Sequence, residues 1–244
     1  MEPIIIDHNH PKYRAVWEEM SENNRWNGAF FYSKEIVKNI IPAVKTDRNW
    51  VTVNIPGLGA DHAIVFMHSN LKPELYEWLQ DYDDLILVCG IPETVPKVEH
   101  LGKAIYLPLS VDVEYVKQFK VPECEREMNR AFVGRPSKRI GVSFPRGTIY
   151  LERMSRPRLL SNVAKCQEVY AVGRAAIEAK ILGCDILPYD PRFPDPERWK
   201  ILDNAEAAQI LQKQLDEIDG GRHDNRPHRS EVHPEKRRNR KTSV

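Results

Sequence analysis

Short apolar runs alternate with segments of helical period along most of the chain. Most of these runs are four to six residues long, and several are apolar nearly throughout. Such runs are typical of strands that are covered on both faces of a parallel sheet. The sequence therefore predicts strands at residues 50–55, 62–67, 85–89, 104–107, 131–134, 168–173 and 185–188.

Three segments between the runs have the periodicity of helices. Residues 71–79 place apolar side chains on one helix face, and Pro73 fits the first turn of such a helix. Segments 157–165 and 174–182 are also predicted to be helical, and Gly183 is expected to end the second of them. The alternation of strands and helices implies right-handed crossovers and an α/β fold.

A stretch rich in proline and charge divides the chain near residues 109–127. The elements on either side predict two Rossmann-like halves that face a cleft, one over residues 1–115 and one over 116–218. Apolar side chains between 201 and 218 recur at intervals of three and four residues. They predict a long amphipathic helix, for which Asp195 supplies the N-cap.

The charge of the chain is balanced overall but uneven along its length. Lysine plus arginine number 36 and aspartate plus glutamate number 35, which excludes a chain that is basic throughout and wraps nucleic acid. Residues 219–244 nevertheless contain eight basic and four acidic side chains and almost no aliphatic ones. We interpret this segment as a disordered basic tail rather than a dedicated nucleic-acid arm.

Several features predict a cytoplasmic protein. No apolar run approaches the ~18 residues of a membrane span, and the N-terminal residues lack the apolar core of a secretory leader. The four cysteines stand singly, without the spacing of a metal site or a disulfide framework. We expect reduced thiols, with Cys89 and Cys184 as small buried side chains beside apolar runs.

Residues 168–189 place phosphate-binding groups next to a sharp turn. A strand ends near Gly173, and the following helix points backbone N–H groups and the positive end of its dipole towards the carboxyl edge of the sheet. Glu178 lies just past the first turn, where its carboxylate can accept two hydrogen bonds from a ribose diol. An ordinary strand-to-helix crossover with a surface glutamate explains this segment equally well when it is taken alone.

This segment resembles the donor-binding signature of GT-B glycosyltransferases, of the large retaining group 1 or family 4 type, in a short form. The signature contains a glycine, a Glu-Ala pair and a second glycine, and Gly173, Glu178, Ala179 and Gly183 are in register with it. The family usually has a further glutamate eight positions before the first of that pair. Tyr170 stands at this position.

Two earlier stretches extend the resemblance, which covers about residues 63–189 in the order of the family. The sequence Phe132-Val133-Gly134-Arg135 is similar to the end of the family's strand whose arginine, with a following lysine, holds the donor diphosphate. The resemblance implies this role for Arg135 and Lys138, and Arg139 is an equal candidate. Residues 107–112, followed by a phenylalanine, are similar to the stretch that joins the two family domains.

His68 comes directly after a predicted strand, where such enzymes often place a histidine that faces the donor sugar. The resemblance implies that His68 is catalytic; a hydrogen-bonded structural histidine is the alternative. A hydrolytic metal cluster is a rival interpretation, but its side chains lack the helical spacing of a zinc motif, and we expect no metal. The members of that cluster would be Asp7, His8, His10, Asp61, His62 and His68.

The resemblance implies a metal-independent glycosyltransferase of the hexosyltransferase type. The donor would be a nucleotide diphosphate sugar, with UDP-sugars as the first expectation, the acceptor is open between protein, glycan and nucleic acid, and no cofactor is expected. Tyr170 in place of the family glutamate favours an alternative, a non-catalytic nucleotide-sugar-binding module of the same fold. The implied donor contacts are Gly134, Arg135, Lys138, Arg139, Gly173, Arg174 and Glu178.

Overall fold

The computed structural model describes residues 35–52, 62–67, 84–152 and 154–223, and these residues form two parallel sheets of four strands each. The strands of the first sheet lie side by side in chain order, and every neighbouring pair is parallel. They are β1 (Asn49–Thr52), β2 (His62–Met67), β3 (Asp84–Cys89) and β4 (Lys103–Tyr106).

The second sheet has a different strand order. Its four strands are also parallel, but they lie in the order β6-β5-β7-β8, so the chain crosses over β5 after it leaves β6. They are β5 (Met128–Val133), β6 (Ile149–Leu151), β7 (Cys166–Tyr170) and β8 (Asp185–Leu187).

Helices and helical turns connect the strands. A π-helical segment, Ile36–Ile40, precedes β1 and packs against the long C-terminal helix. The α-helices are α1 (Val95–Val98), α2 (Val113–Lys117), α3 (Arg156–Val163), α4 (Arg174–Leu182) and α5 (Asn204–His223). Short 3-10 turns are at Ile41–Ala43, Pro92–Thr94, Glu123–Glu125, Pro136–Arg139 and Pro196–Arg198.

Each sheet has its own hydrophobic core. The core of the second sheet includes side chains from β5 and β7 and the inner faces of α3 and α4. The core of the first sheet contains β2, β3 and the π-helical segment, and it is completed by α5 from the other end of the described chain. α5 contributes Ala207, Ala208, Leu211 and Leu215, all buried. The C-terminal helix therefore stabilises the N-terminal sheet.

The predicted mixed α/β fold with parallel sheets is confirmed. The predicted strand at 62–67 coincides with β2. Each of the other six predicted strands overlaps an observed strand whose ends differ from the predicted ends by up to three residues. Helix α4 has the predicted bounds, and Gly183 ends it in the left-handed conformation. β6 was not predicted, because it is a three-residue edge strand in which Ile149 and Tyr150 are exposed. No helix within the described ranges is both long and apolar enough to cross a membrane.

The long C-terminal helix differs from its prediction at both ends. Asp195 caps the short 3-10 turn that follows it, and α5 begins only at Asn204, where the Asp203 carboxylate accepts the N–H of Ala205. At the other end, α5 continues through Gly220 as far as His223, so residues 219–223 of the predicted tail are helical. The predicted boundary at 115/116 falls inside α2. The predicted helix at 71–79 and the tail from 224 onwards lie outside the described residues.

We expect Gly183→Ala to lower the free energy of unfolding by at least about 1 kcal/mol. Gly183 has a φ of 87°, and a Cβ atom there would clash with the Arg126 guanidinium. Gly220→Ala is the matched control, because Gly220 lies within α5 and a Cβ atom there meets no described atom within 4 Å. The control should raise the free energy of unfolding by up to about 1 kcal/mol. Urea unfolding measures both changes, and a stabilising effect at Gly183 would contradict this C-cap.

Candidate functional site

The strand order of the second sheet creates a switch point between β5 and β7. From β5 the chain continues to β6 on one side, and from β7 it continues to β8 on the other side. Ligands of open parallel sheets bind outside the carboxyl ends of the strands at such a point. Phe132 of β5 pairs with Tyr170 of β7, so Gly134 and Arg135 leave the sheet at the same edge as the turn at Gly173.

Two positions at this edge require glycine. Gly134 is buried, and a Cβ atom there would lie 3.0 Å from the ring of Phe132. Gly173 has φ and ψ values of 66° and −140°, a conformation that essentially only glycine adopts. The turn at Gly173 starts α4 directly, and the amides of the first turn of α4 point out of the helix at this edge. Both glycines predicted for the site thus meet backbone requirements of the switch point.

The loop after β5 brings three cations to this edge, and their surroundings differ. Arg135 is exposed, and Lys138 is partly buried. Burial, together with the positive charge of Arg135, holds the pKa of Lys138 below its ordinary value. Arg139 is neutralised by Glu152, with 2.6 Å between Nε and Oε1, and its guanidinium lies over the ring of Tyr150. The ion pair with Glu152 therefore makes Arg139 a weaker candidate for an anion contact than the sequence predicts.

A cleft of about 510 Å³ opens beside the carboxyl ends of β7 and β8. Its walls are mostly apolar and include Ala171, Val172 and the ring of Phe193. Tyr189 also lines it; burial raises the pKa of this phenol to about 12, and its buried Oη has no hydrogen-bond partner within the described residues. A cleft of this size and lining is suited to a flat organic group next to the switch point.

Tyr170 belongs to an aromatic cluster behind this edge. It is buried, and its ring centroid lies 5.0 Å from that of Phe144 and 6.1 Å from that of Tyr189. Phe132 packs against the same rings. Where the resembled family has a carboxylate, this chain thus has a core aromatic side chain, and a glutamate here would replace aromatic packing with a buried charge.

Glu178 and Arg174 lie in a buried ion cluster, which we define as Glu35, Arg156, Arg174 and Glu178. Glu178 is only 4% exposed, and its Oε1 accepts from Nη2 of Arg156 at 2.8 Å and from Nη2 of Arg174 at 3.4 Å. The Arg174 guanidinium also binds Oε1 of Glu35 at 2.6 Å, and Arg156 donates to the same oxygen. Two carboxylates and two guanidinium groups therefore neutralise one another in the interior.

Glu35 accepts from four donors that belong to four parts of the chain. Besides Arg156 and Arg174, the side-chain amide of Asn204 donates to its Oε2 at 3.2 Å and the backbone N–H of Asp112 at 3.1 Å. Burial opposes the ionised form of this carboxyl, but the two guanidinium groups outweigh it and hold the pKa of Glu35 below its ordinary value. The carboxylate is therefore charged at neutral pH, and it links the starts of α3, α4 and α5.

The residues predicted for the site have different surroundings. Gly134, Arg135, Lys138 and Gly173 lie at the switch point, Arg139 is paired with Glu152 beside it, and Arg174 and Glu178 are engaged in the ion cluster. His68 lies outside the described residues. Sequence reasoning missed Glu35, Arg156 and Asn204, because polar residues without a motif give no sign that tertiary structure will bury them.

The two cysteines predicted to be buried and the described candidate metal ligands give no sign of a reactive site. Cys89 and Cys184 are buried as predicted, and burial raises the pKa of each thiol to about 11. Thiols with such pKa values are poor nucleophiles at neutral pH. Within the described ranges no group of His, Cys, Asp or Glu side chains is placed to hold a metal ion. Most of the candidate metal cluster, including His8 and His10, lies outside those ranges.

A second cleft, of about 900 Å³, lies between α5 and the π-helical segment. Most of its lining residues are polar or charged, among them Lys38, Asp112, Asp203 and Gln212. Gln212 also exchanges hydrogen bonds with the backbone of Lys45. Acidic side chains outnumber basic ones in this cleft, so it is less suited to an anion than the edge of the second sheet.

The chain matches no model of a known protein family, and no curated protein is significantly similar to it. The candidate site is therefore defined by its own geometry. That geometry consists of a switch point between β5 and β7, two glycines that the backbone requires at its edge, and the cations Arg135 and Lys138 in the loop after β5.

Proposed function

We propose that the protein is a metal-independent glycosyltransferase of the GT-B type that takes its sugar from a nucleotide diphosphate sugar. UDP-sugars are the first candidates, and the donor would bind at the carboxyl edge of the second sheet. The observation that carries the proposal is that the loop with Arg135 and Lys138 and the start of α4 follow neighbouring parallel strands at the switch point of that sheet. The first sheet would supply the acceptor side.

The proposed chemistry requires positive charge at the leaving group. Transfer breaks the bond between the anomeric carbon and the diphosphate oxygen, forms a bond to an acceptor oxygen, and releases the acceptor proton. Arg135, Lys138 and the amides at the start of α4 would stabilise the negative charge that develops on the diphosphate. An anion between the two cations would also offset the burial and the repulsion from Arg135 that lower the pKa of Lys138. His68 would follow β2 at the acceptor side.

A binding module without transfer is the second candidate. Two observations favour it: Tyr170 is packed among aromatic rings where the resembled family has a carboxylate, and Glu178 is held by two arginines instead of facing the cleft. Such a module would bind the nucleotide sugar through the same loop and cleft. Release of free nucleotide from a UDP-sugar without acceptor, abolished in His68→Ala, would favour the enzyme over the module.

We expect Arg135→Ala and Lys138→Ala each to weaken UDP binding roughly 10- to 100-fold, because each removes a charge-assisted contact with the diphosphate. Titration calorimetry measures the change, after a thermal-shift panel of nucleotides has identified the base that binds best. Arg158→Ala is the matched control: Arg158 is an exposed arginine that belongs to α3 and not to the loop after β5, and its loss should leave binding unchanged.

A comparison of uridine with UDP distinguishes the loss of diphosphate contacts from other effects of the substitutions. Uridine lacks the diphosphate, so Arg135→Ala should change its affinity much less than that of UDP. Parent-like UDP binding by both loop variants, or the absence of binding to every nucleotide in the panel, would exclude the proposed donor site.

A further inference from the structure

The loop after β8 lies against the loop that carries Arg135 and Lys138. The guanidinium of Arg192, in the loop after β8, donates to the backbone carbonyl of Ile140 at 3.0 Å. In addition, Nζ of Lys138 lies over the ring of Phe193, 5.9 Å from the ring centroid. Two side chains of the loop after β8 therefore contact the loop after β5 at two separate points.

The loop after β8 is held in shape by contacts of its own. The Asp190 carboxylate accepts the backbone N–H of Arg192 at 2.9 Å and forms an ion pair with the Arg192 guanidinium. The backbone N–H of Phe193 donates to the carbonyl of Asp190 at 3.0 Å. The Phe193 ring packs against the ring of Tyr189, with 5.5 Å between the centroids. The position of the Phe193 ring is therefore fixed by contacts that do not involve Lys138.

The ring is important because the surroundings of Lys138 disfavour its positive charge. Burial and the neighbouring Arg135 both hold the pKa of Lys138 below its ordinary value. The face of an aromatic ring attracts a cation, and this attraction is stronger where water is excluded. Phe193 therefore offsets part of the unfavourable burial of the ammonium group and favours one position for it beside the carboxyl end of β5.

We propose that Phe193 is a positioning residue for Lys138 and holds its ammonium group in place before the donor diphosphate binds. The inference rests on the proposed function, because that function assigns Lys138 to the diphosphate. A lysine that is already oriented loses less side-chain entropy when the anion binds, so the ring raises the affinity without a contact to the phosphates. Removal of the ring should therefore weaken anion binding only through Lys138.

A double-mutant cycle on the full chain, with pyrophosphate as the ligand, tests this dependence. Pyrophosphate has no ring or sugar that could contact Phe193 directly. Phe193→Leu keeps an apolar side chain but removes the aromatic face, so it should lower the affinity roughly three- to tenfold in the parent and less than about twofold in Lys138→Ala. Titration calorimetry measures the four affinities. Equal losses in both backgrounds, or no loss in either, would overturn the positioning role.

Two further substitutions show whether the aromatic face causes the effect. Phe193→Tyr keeps the ring and should bind pyrophosphate as the parent does. Phe119→Leu is the matched control: Phe119 is also half-buried, but it follows α2 and packs on Tyr115, with 5.4 Å between the centroids. Its substitution should leave the affinity unchanged. A loss as large as that of Phe193→Leu in either variant would overturn the proposal.

Nuclear magnetic resonance tests the contact without any ligand. Protons above an aromatic ring are shielded by its ring current, so the Hε resonances of Lys138 should lie upfield of those of exposed lysines in the parent and in Phe193→Tyr. This displacement should disappear in Phe193→Leu. Its absence in the parent would overturn the positioning role, whereas parent-like UDP binding by both Arg135→Ala and Lys138→Ala would exclude the donor site. The two proposals therefore fail on different results.

Discussion

Replacing Glu178 by alanine should lower the free energy of unfolding by about 3–5 kcal/mol. The carboxylate is buried and bound by both Arg156 and Arg174, so its removal leaves two guanidinium groups in the interior with Glu35 as their one acidic partner in the cluster. Urea unfolding, followed by fluorescence and circular dichroism, measures the loss. This loss of unfolding free energy should exceed the loss caused by removing any single exposed charge.

Glu114 provides the matched control for this prediction. Its side chain is 80% exposed and pairs with Lys117 on the surface of α2, so Glu114→Ala should change the free energy of unfolding by no more than about 0.5 kcal/mol. The resemblance to glycosyltransferases implies the opposite behaviour for Glu178, namely hardly any change in folding and a large loss of nucleotide affinity. An unfolding free energy within about 0.5 kcal/mol of the parent would therefore favour the ribose contact over the structural role.

The strands were predictable because strands that are buried on both faces have apolar residues at nearly every position. Five of the six residues of β3 are buried, and a run that is apolar at every position is typical of a strand covered on both faces. β6 has no such signal, since an edge strand of three residues with two exposed side chains resembles a loop. The topology that makes the switch point depends on where β6 pairs, and this information is absent from local periodicity.

Only the glycine positions of the site were predictable from the sequence. Gly134 and Gly173 stand out in the sequence because each follows a strand, and the structure gives both a steric or conformational reason to be glycine. The side chains were harder to place. Arg139 and Lys138 look alike in sequence, but Glu152 neutralises the first and not the second. Glu152 lies thirteen residues after Arg139, so no helical or strand periodicity predicts that the two side chains are neighbours.

The burial of charge could not be read from the sequence at all. Glu35 and Arg156 are far apart along the chain, and each has the composition of a surface residue. They meet because Glu35, which directly precedes the π-helical segment, lies at the N-termini of α3 and α4, an arrangement that only tertiary packing determines. Because of the same packing, Glu178 pairs with two arginines, whereas the sequence predicts that it contacts a ligand.

Replacing Leu211 by alanine should lower the free energy of unfolding by about 2–5 kcal/mol, although the residue lies in the C-terminal helix. Leu211 is fully buried in the core of the first sheet, among side chains that include Ile64 and Ile86. The truncation removes apolar contacts and leaves a cavity between α5 and strands that lie more than a hundred residues earlier in the chain.

Lys213→Ala is the matched control for this helix. Lys213 is exposed on the same helix two residues later, so its truncation should change the free energy of unfolding by no more than about 0.5 kcal/mol. Hydrogen exchange adds a local test, because the amides of β3 should lose protection in Leu211→Ala and keep it in the control. If both substitutions have equally small effects, α5 does not complete the first-sheet core. The two sheets would then be stabilised independently. The present structure instead links them through α5, which begins beside the ion cluster and packs in the core of the first sheet.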